Sequence, residues 1–164
     1  MAVITGFARF GLWFVEVRWS GDTVSRVRFS RSRPEEGPVP SLLRLYLSGR
    51  PVNLSLLEPA ITPASELYAN IYREVRSLRY GETATYGEIA IRAGTGPRVV
   101  GHAMARNPVP LIIPCHRVVS RSGPGGFSPD PEIKIRLLEM ERKNKKRFIP
   151  ENNLLSFREV GEDS

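Results

Sequence analysis

One cysteine stands in the whole chain, Cys115, and it limits how the chain can be held together. A lone cysteine closes no disulfide within its own chain and builds no thiolate metal cluster. The fold must therefore rest on an apolar core, and 164 residues with 41% hydrophobic side chains supply enough material for one or two small domains. The thiol is then either a small buried filler, the usual fate of unpaired cysteine, or a nucleophile. Its setting favours the nucleophile. It lies in Ile113-Pro114-Cys115-His116-Arg117-Val118-Val119, directly beside one of only two histidines. Pro108, Pro110 and Pro114 fix the approaching backbone, and His116 and Arg117 are expected to lower the thiol pKa.

Composition narrows the partners. No apolar run reaches the roughly 18 residues of a membrane span, so no membrane partner is expected. The N-terminus has neither the basic start nor the apolar core of a secretory signal, and with one cysteine this points to a reducing cytoplasm. The net charge is +7, and 20 of the 24 basic residues are arginine. Arginine grips phosphates in bidentate fashion, which makes nucleic acid a plausible partner. A heat-stable surface rich in ion pairs also accounts for many arginines and for the absence of glutamine.

Along the chain, residues 1 to about 50 read as β-rich. Leu12 to Trp19 and Thr23 to Phe29 are strand-like, with Ser20-Gly21-Asp22 as the hairpin turn. Strict alternation in the second run sets Val24 on the face opposite Val27 and Phe29, leaving that strand only partly apolar on either side. Pro40 to Gly49 reads as a short helix, and nothing in this part carries recognisable chemistry. Pro51, Pro59 and Pro63 mark a linker. Thr62-Pro63 is expected to cap a helix bearing Leu67, Ile71, Val75 and Leu78 and ended by Gly81. Thr85 and Glu88 have the form of a capping box opening a helix from Tyr86 to about Ala93. After Gly94-Thr95-Gly96, Pro97 starts a further helix to about Arg106, completing a helix-turn-helix pattern.

That last helix has two faces. Val100, Ala103 and Met104 suit the core, whereas Arg98, Gly101 and Ala105 share another side. Small residues there permit close packing against a neighbouring helix or against a DNA backbone; Arg98 and the basic chain favour DNA. Ser120 to Pro129 reads as a loop. Asp130-Pro131 caps a final helix whose connected face holds Ile133, Leu137, Leu138 and Glu141, the carboxylate wanting a basic partner such as His116. Arg142, Lys143, Lys145, Lys146 and Arg147 read as a solvated helix end, and residues 148–164 as a mobile or loosely docked tail.

Taken together, Pro114-Cys115-His116-Arg117-Val118, the approach Asn107-Pro108-Val109-Pro110 and the upstream Tyr86-Gly87-Glu88-Ile89-Ala90 resemble the O6-alkylguanine-DNA alkyltransferases. The resemblance is specific from about Thr62 to Glu141. It implies an α+β fold with a ribonuclease H-like N-terminal domain (1–57), then a mainly helical domain with a winged helix-turn-helix-like DNA-binding motif (58–147), then the tail (148–164). It further implies a monomer that repairs double-stranded DNA containing O6-alkylguanine without a cofactor or metal. Cys115 would take the alkyl group, His116 would draw off its proton through a water, and Glu141 would orient His116. An extended backbone would point Cys115 and His116 to opposite faces, leaving room for that water.

By the same resemblance Asn107 would hold the turn before the cysteine, and Tyr86 would donate to the guanine ring N3. The main-chain carbonyls of Cys115 and Val118 would accept the guanine amine, and Ser128 would bond the O6 atom. Arg98 would fill the gap left by the extruded base, with Gly101, Ala105 and Arg106 against the minor groove. Two positions depart from the family pattern: Phe127-Ser128-Pro129-Asp130 replaces a Tyr with paired glycines, and Ala105 replaces a DNA-contacting Arg in some relatives. Alternative readings are a non-catalytic helix-turn-helix protein that binds alkylated DNA or regulates transcription, and a cysteine hydrolase.

Overall fold

The computed structural model describes residues 1–145. It has a mixed α+β architecture, with a sheet in the N-terminal part and helices in the C-terminal part. Strands β1 (Ile4–Phe10), β2 (Trp13–Ser20) and β3 (Thr23–Ser30) form an antiparallel meander, and the short β4 (Glu58–Pro59) runs parallel to β3. β2 and β3 occupy the two expected runs. β1 is an addition, because Gly6 and Ala8 carry little strand signal of their own. Pairing with β2 sets Gly6, Ala8 and Phe10 opposite Val17, Val15 and Trp13 on the inner face, and that burial makes the strand.

The expected alternation in β3 fails at one residue. Arg18 pairs with Arg26 but Trp19 pairs with Val24, so Ser25 is the extra residue of a bulge. The bulge turns Val24 inward, and Val24, Val27 and Phe29 are all buried. Arg26 and Arg28 are left on the exposed face. Helix α1 (Ser41–Leu47) covers the inner face with Leu43, Tyr46 and Leu47.

In the C-terminal part, α2 (Glu66–Arg76) begins later and ends earlier than expected. The Ser65 hydroxyl, not Thr62, caps it by accepting from the Tyr68 N–H at 3.1 Å, and the helix stops at Ser77, before Gly81. After β5 (Ala84–Thr85), α3 (Tyr86–Ala93) opens on the full Thr85–Glu88 capping box. Gly94 closes it in the left-handed region at φ 73°, a conformation glycine adopts without a Cβ clash. Helix α4 (Pro97–Ala105) follows the tight turn and buries Val100, Ala103 and Met104. The Tyr72 hydroxyl of α2 donates to the Ala103 carbonyl at 2.9 Å. Strand β6 (Val118–Val119) pairs parallel with β5, and α5 (Pro131–Asn144) opens on the Asp130 cap.

Several ties fix the two parts against each other. The Val27 N–H of β3 donates to the Pro108 carbonyl at 3.0 Å, and Phe29 meets Phe127 edge to face. Arg76 bonds the carbonyls of Ser55 and Leu57 on one side and of Ile112 on the other. Asn144 donates to the Gly49 carbonyl at 2.9 Å. Arg142, Lys143 and Lys145 are exposed, whereas Lys146, Arg147 and the 148–164 segment lie outside the described residues. Among the described residues, no helix is long and apolar enough to cross a membrane.

Candidate active site

The segment leading to the cysteine is a tight, internally bonded turn. Asn107 donates from Nδ2 to the Ile113 carbonyl at 2.8 Å and accepts from the Val109 N–H at 3.0 Å. The Ile113 N–H also bonds the Val109 carbonyl. Inside this clamp Leu111 is held at φ 78°, a strained conformation for a branched-chain residue that persists only where the surroundings over-determine it. Cys115, His116 and Arg117 then form one 3-10 turn before β6 begins at Val118. The backbone at the cysteine is therefore not extended, and successive side chains fan around a turn instead of alternating between two faces.

His116 and Arg117 both end on Glu141. The carboxylate is 1% exposed and is the hub of the buried polar network. It accepts from Arg117 Nε and Nη2, both at 2.9 Å, from the Gly81 N–H at 2.9 Å, and from the Tyr46 hydroxyl. His116 Nε2 lies 2.7 Å from Glu141 Oε2 and 3.2 Å from the Tyr46 hydroxyl. An ionised carboxylate only accepts, so Nε2 carries the proton and Nδ1 holds the free lone pair. Nδ1 is buried and has no hydrogen-bond partner among the described residues.

Charge follows the same geometry. Burial alone would raise the Glu141 pKa, but His116 and Arg117 hold it well below the usual carboxylate range. Burial lowers the His116 pKa despite the adjacent carboxylate, so the imidazole is neutral and basic. Tyr46 stays a protonated donor, its pKa raised by burial and by the Glu141 charge. The thiol departs from expectation: burial raises the Cys115 pKa. Arg117 cannot lower it, because its charge is engaged in the bidentate pair with Glu141. The groups that do favour the thiolate are a hydrogen bond from Asn107, the charge of Lys134 and the backbone N–H groups of Cys115 and His116.

Lys134 is 1% exposed, on the inner face of α5. Its ammonium donates to the Val118 carbonyl at 2.6 Å, and to the Gly126 carbonyl and Tyr86 hydroxyl at 3.3 Å each. Burial pushes its pKa down to about 8, against the pull of Cys115. Tyr86 is raised by burial and by Cys115. Gly125, at φ 84°, lets the loop pass this pair, since a Cβ there would lie 2.8 Å from the Tyr86 hydroxyl oxygen.

A cavity of about 330 Å³ opens in front of the thiol, large enough for one flat heterocycle. Tyr86, Gly101, Ala105, Asn107, Cys115 and Ser128 all line it. Arg98 stands apart, exposed on the first turn of α4 and without a hydrogen bond or ion pair among the described residues. Arg106 caps α4 and bonds the Tyr68 hydroxyl at 2.9 Å. The Val118 side chain is in the core, with its carbonyl on Lys134, and the Cys115 carbonyl accepts the Val118 N–H. Among the described residues no group of His, Cys, Asp and Glu converges as metal ligands.

Comparison with known proteins bears on the same segment. The sequence profile described as 6-O-methylguanine DNA methyltransferase, DNA binding domain, matches residues 66–143. The methylated-DNA–protein-cysteine methyltransferase of Saccharolobus solfataricus is 42% identical over 99 residues, which cover 60% of this chain and 64% of that protein. The O6-methylguanine methyltransferase of Mycobacterium tuberculosis has a similar structure, with TM-score 0.70 and 25% identity over 87% of this chain and 94% of that one. The matching stretch, residues 66–143, is similar to the DNA-binding domain of the O6-methylguanine DNA methyltransferases, and the alignment spans a little under two thirds of the length of the Saccharolobus protein. The Mycobacterium tuberculosis protein is also known in complex with DNA. The O6-methylguanine-DNA methyltransferase of Pyrococcus kodakaraensis aligns at TM-score 0.65 and 25% identity, covering 84% of this chain and 97% of that one.

The N-terminal part is more than scaffold, because α1 delivers the Tyr46 hydroxyl to Glu141. Nothing in the sequence around Tyr46 announces this, since the contact spans 95 positions. Lys134 leaves a trace: it lies three residues before Leu137 and seven before Glu141, on the buried side of its helix. A Tyr46→Phe variant should lose about 1.5–3 kcal/mol of stability, the usual worth of a hydrogen bond to a charged group. Urea unfolding measures this, and an unchanged midpoint would show that the hydroxyl contributes nothing to the hub.

Proposed function

We propose that this protein repairs duplex DNA by moving the alkyl group of O6-alkylguanine onto Cys115, once per protein molecule. The observation that carries this reading is a lone thiol at a base-sized cavity, with a buried neutral imidazole behind it and a carboxylate fixing that imidazole. The thiol proton leaves to His116 Nδ1, whose lone pair is buried and unpartnered; a bridging water at that position would satisfy it. Glu141 stabilises the imidazolium that forms. Sulfur then bonds the alkyl carbon as the carbon–O6 bond breaks. The electron pair stays on the purine, and Tyr86 supplies a proton at ring N3. The thioether product offers no carbonyl to water and no workable leaving group, so the cysteine is consumed.

In this reading residues 58–147 are the DNA-binding alkyltransferase part and residues 1–57 a ribonuclease H-like support, with 148–164 a tail. Helices α3 and α4 act as a winged helix-turn-helix-like element placed in the minor groove. Gly101 and Ala105 permit close approach, Arg106 and Arg98 flank the site, and Ser128 and the carbonyls of Cys115 and Val118 read the extruded guanine. The protein works as a cytoplasmic monomer.

The test counts transfer. A duplex labelled at the methyl of O6-methylguanine should load close to one label per protein and then stop. Repeated turnover would instead identify a hydrolase, and binding without transfer a recognition protein. Arg98→Ala should slow duplex repair about tenfold, because extrusion costs a few kcal/mol, while reaction with free O6-benzylguanine stays near wild type. Equal losses on both substrates would refute the finger role.

A further inference from the structure

Outside the cavity, three unpartnered charges stand together on the solvent face of the N-terminal sheet. Arg18 on β2 and Arg26 and Arg28 on β3 are exposed there. Among the described residues none of the three forms an ion pair or side-chain hydrogen bond. The arrangement is unfavourable in itself, since Arg18 and Arg26 are directly opposed in the ladder, and like charges so placed destabilise a sheet. The only acid in the three strands, Glu16, is opposite Arg28 without pairing to it. A heat-stabilising ion-pair network would not look like this.

The position of these arginines says what they face. The N–H of Val27 is bonded to the carbonyl of Pro108, so the residues on either side of it, Arg26 and Arg28, project beside the turn that leads to the cysteine. A groove of about 560 Å³ runs there, lined by Arg26, Arg28, Phe29, Asn107, Pro110 and Ser128. Asn107, Pro110 and Ser128 also line the thiol cavity, so groove and cavity adjoin each other. Arg26 and Arg28 are two residues apart on a strand, about 7 Å, which matches two base-pair steps along a duplex axis.

We propose that β3 extends the DNA-binding surface onto the N-terminal sheet, with Arg26, Arg28 and Arg18 binding backbone phosphates of the duplex that flanks the lesion. This rests on the alkyltransferase reading for the placement of the lesion in the cavity. Counterion release on meeting phosphates offsets the mutual repulsion that the arginines suffer in the free protein. They carry no base specificity and fix only the register of the duplex.

The test is a triple variant, Arg18→Ala, Arg26→Ala and Arg28→Ala, with the matching triple Arg→Lys as control. Binding to an undamaged duplex is measured across salt concentrations. Removing one arginine–phosphate pair should flatten the log–log salt slope by about 0.9, so the alanine variant should be shallower than wild type by about 2.7. The lysine variant should keep the wild-type slope. On a duplex truncated on the groove side, wild type and alanine variant should bind alike. Reaction with free O6-benzylguanine should be unchanged, which confirms that the variant is folded. An unchanged salt slope on the long duplex, with that reaction intact, overturns the proposal and leaves the face to another partner, such as an acidic protein segment. Failure of the wild type to take alkyl from any substrate would sink the alkyltransferase reading instead, while the slopes would still decide the role of the arginines.

Discussion

A Glu141→Gln variant is expected to unfold on the order of 10 °C below wild type. Four groups make five hydrogen bonds to this carboxylate, and Arg117, 6% exposed, pairs with no other acid among the described residues. Breaking one partner of a buried ion pair costs about 3–5 kcal/mol, because the remaining charge stays buried and uncompensated. A chain of this size loses about 2–4 °C of Tm per kcal/mol. The amide also turns an NH2 group toward donors, so some of the five contacts become repulsive.

The pH dependence has a definite sign. Glu141 has a folded pKa below its unfolded value of about 4.3, so its contribution is present above that pH and is lost as pH falls through the folded value. His116 acts in the same direction from about pH 6.5 downward, because the unfolded chain takes up a proton that the buried imidazole resists. Wild type should therefore lose stability steadily on acidification. Glu141→Gln should lose less between about pH 4.3 and more acidic values, because one of the two groups no longer titrates. Parallel acid limbs for the two proteins, followed by urea midpoints, would contradict the assignment of Glu141 as the ionised hub.

The second large effect is at the thiol. Cys115→Ala should reduce alkyl acceptance to below detection while leaving duplex affinity and fold intact, since the side chain lines a cavity and the change removes only the sulfur atom from the edge of the core. In the wild type the thiol pKa is raised by burial, so at neutral pH most of it is protonated, and in the proposed reaction His116 is the base that must take its proton. The transfer rate should accordingly climb from neutral into alkaline pH. A rate already flat at neutral pH would mean a preformed thiolate, contrary to the burial of Cys115.

How far the sequence announces this site depends on how local each contact is. The Thr85–Glu88 capping box, the Gly94 stop and the Asp130-Pro131 start are signals within four residues, and each helix boundary they mark is where the structure has it. The cap of α2 is harder to read, because Thr62-Pro63 and Ser65 compete and only the folded backbone decides between them. The Ser25 bulge is invisible in an alternating pattern until the partner strand is known. Arg117 reads as an activator of the thiol because the two are close in sequence; the 3-10 turn and Glu141 send it elsewhere. Tyr46 gives no signal at all, since its role exists only after α1 docks against α5.

Alkyl capture by Cys115 is read most directly from the intact mass of the wild-type protein after incubation with excess O6-methylguanine duplex, followed by peptide mapping. One added methyl per chain is expected, on the peptide containing Cys115, with no further gain on longer exposure. An unmodified mass, or a methyl on any other residue, would show that this thiol is not the acceptor.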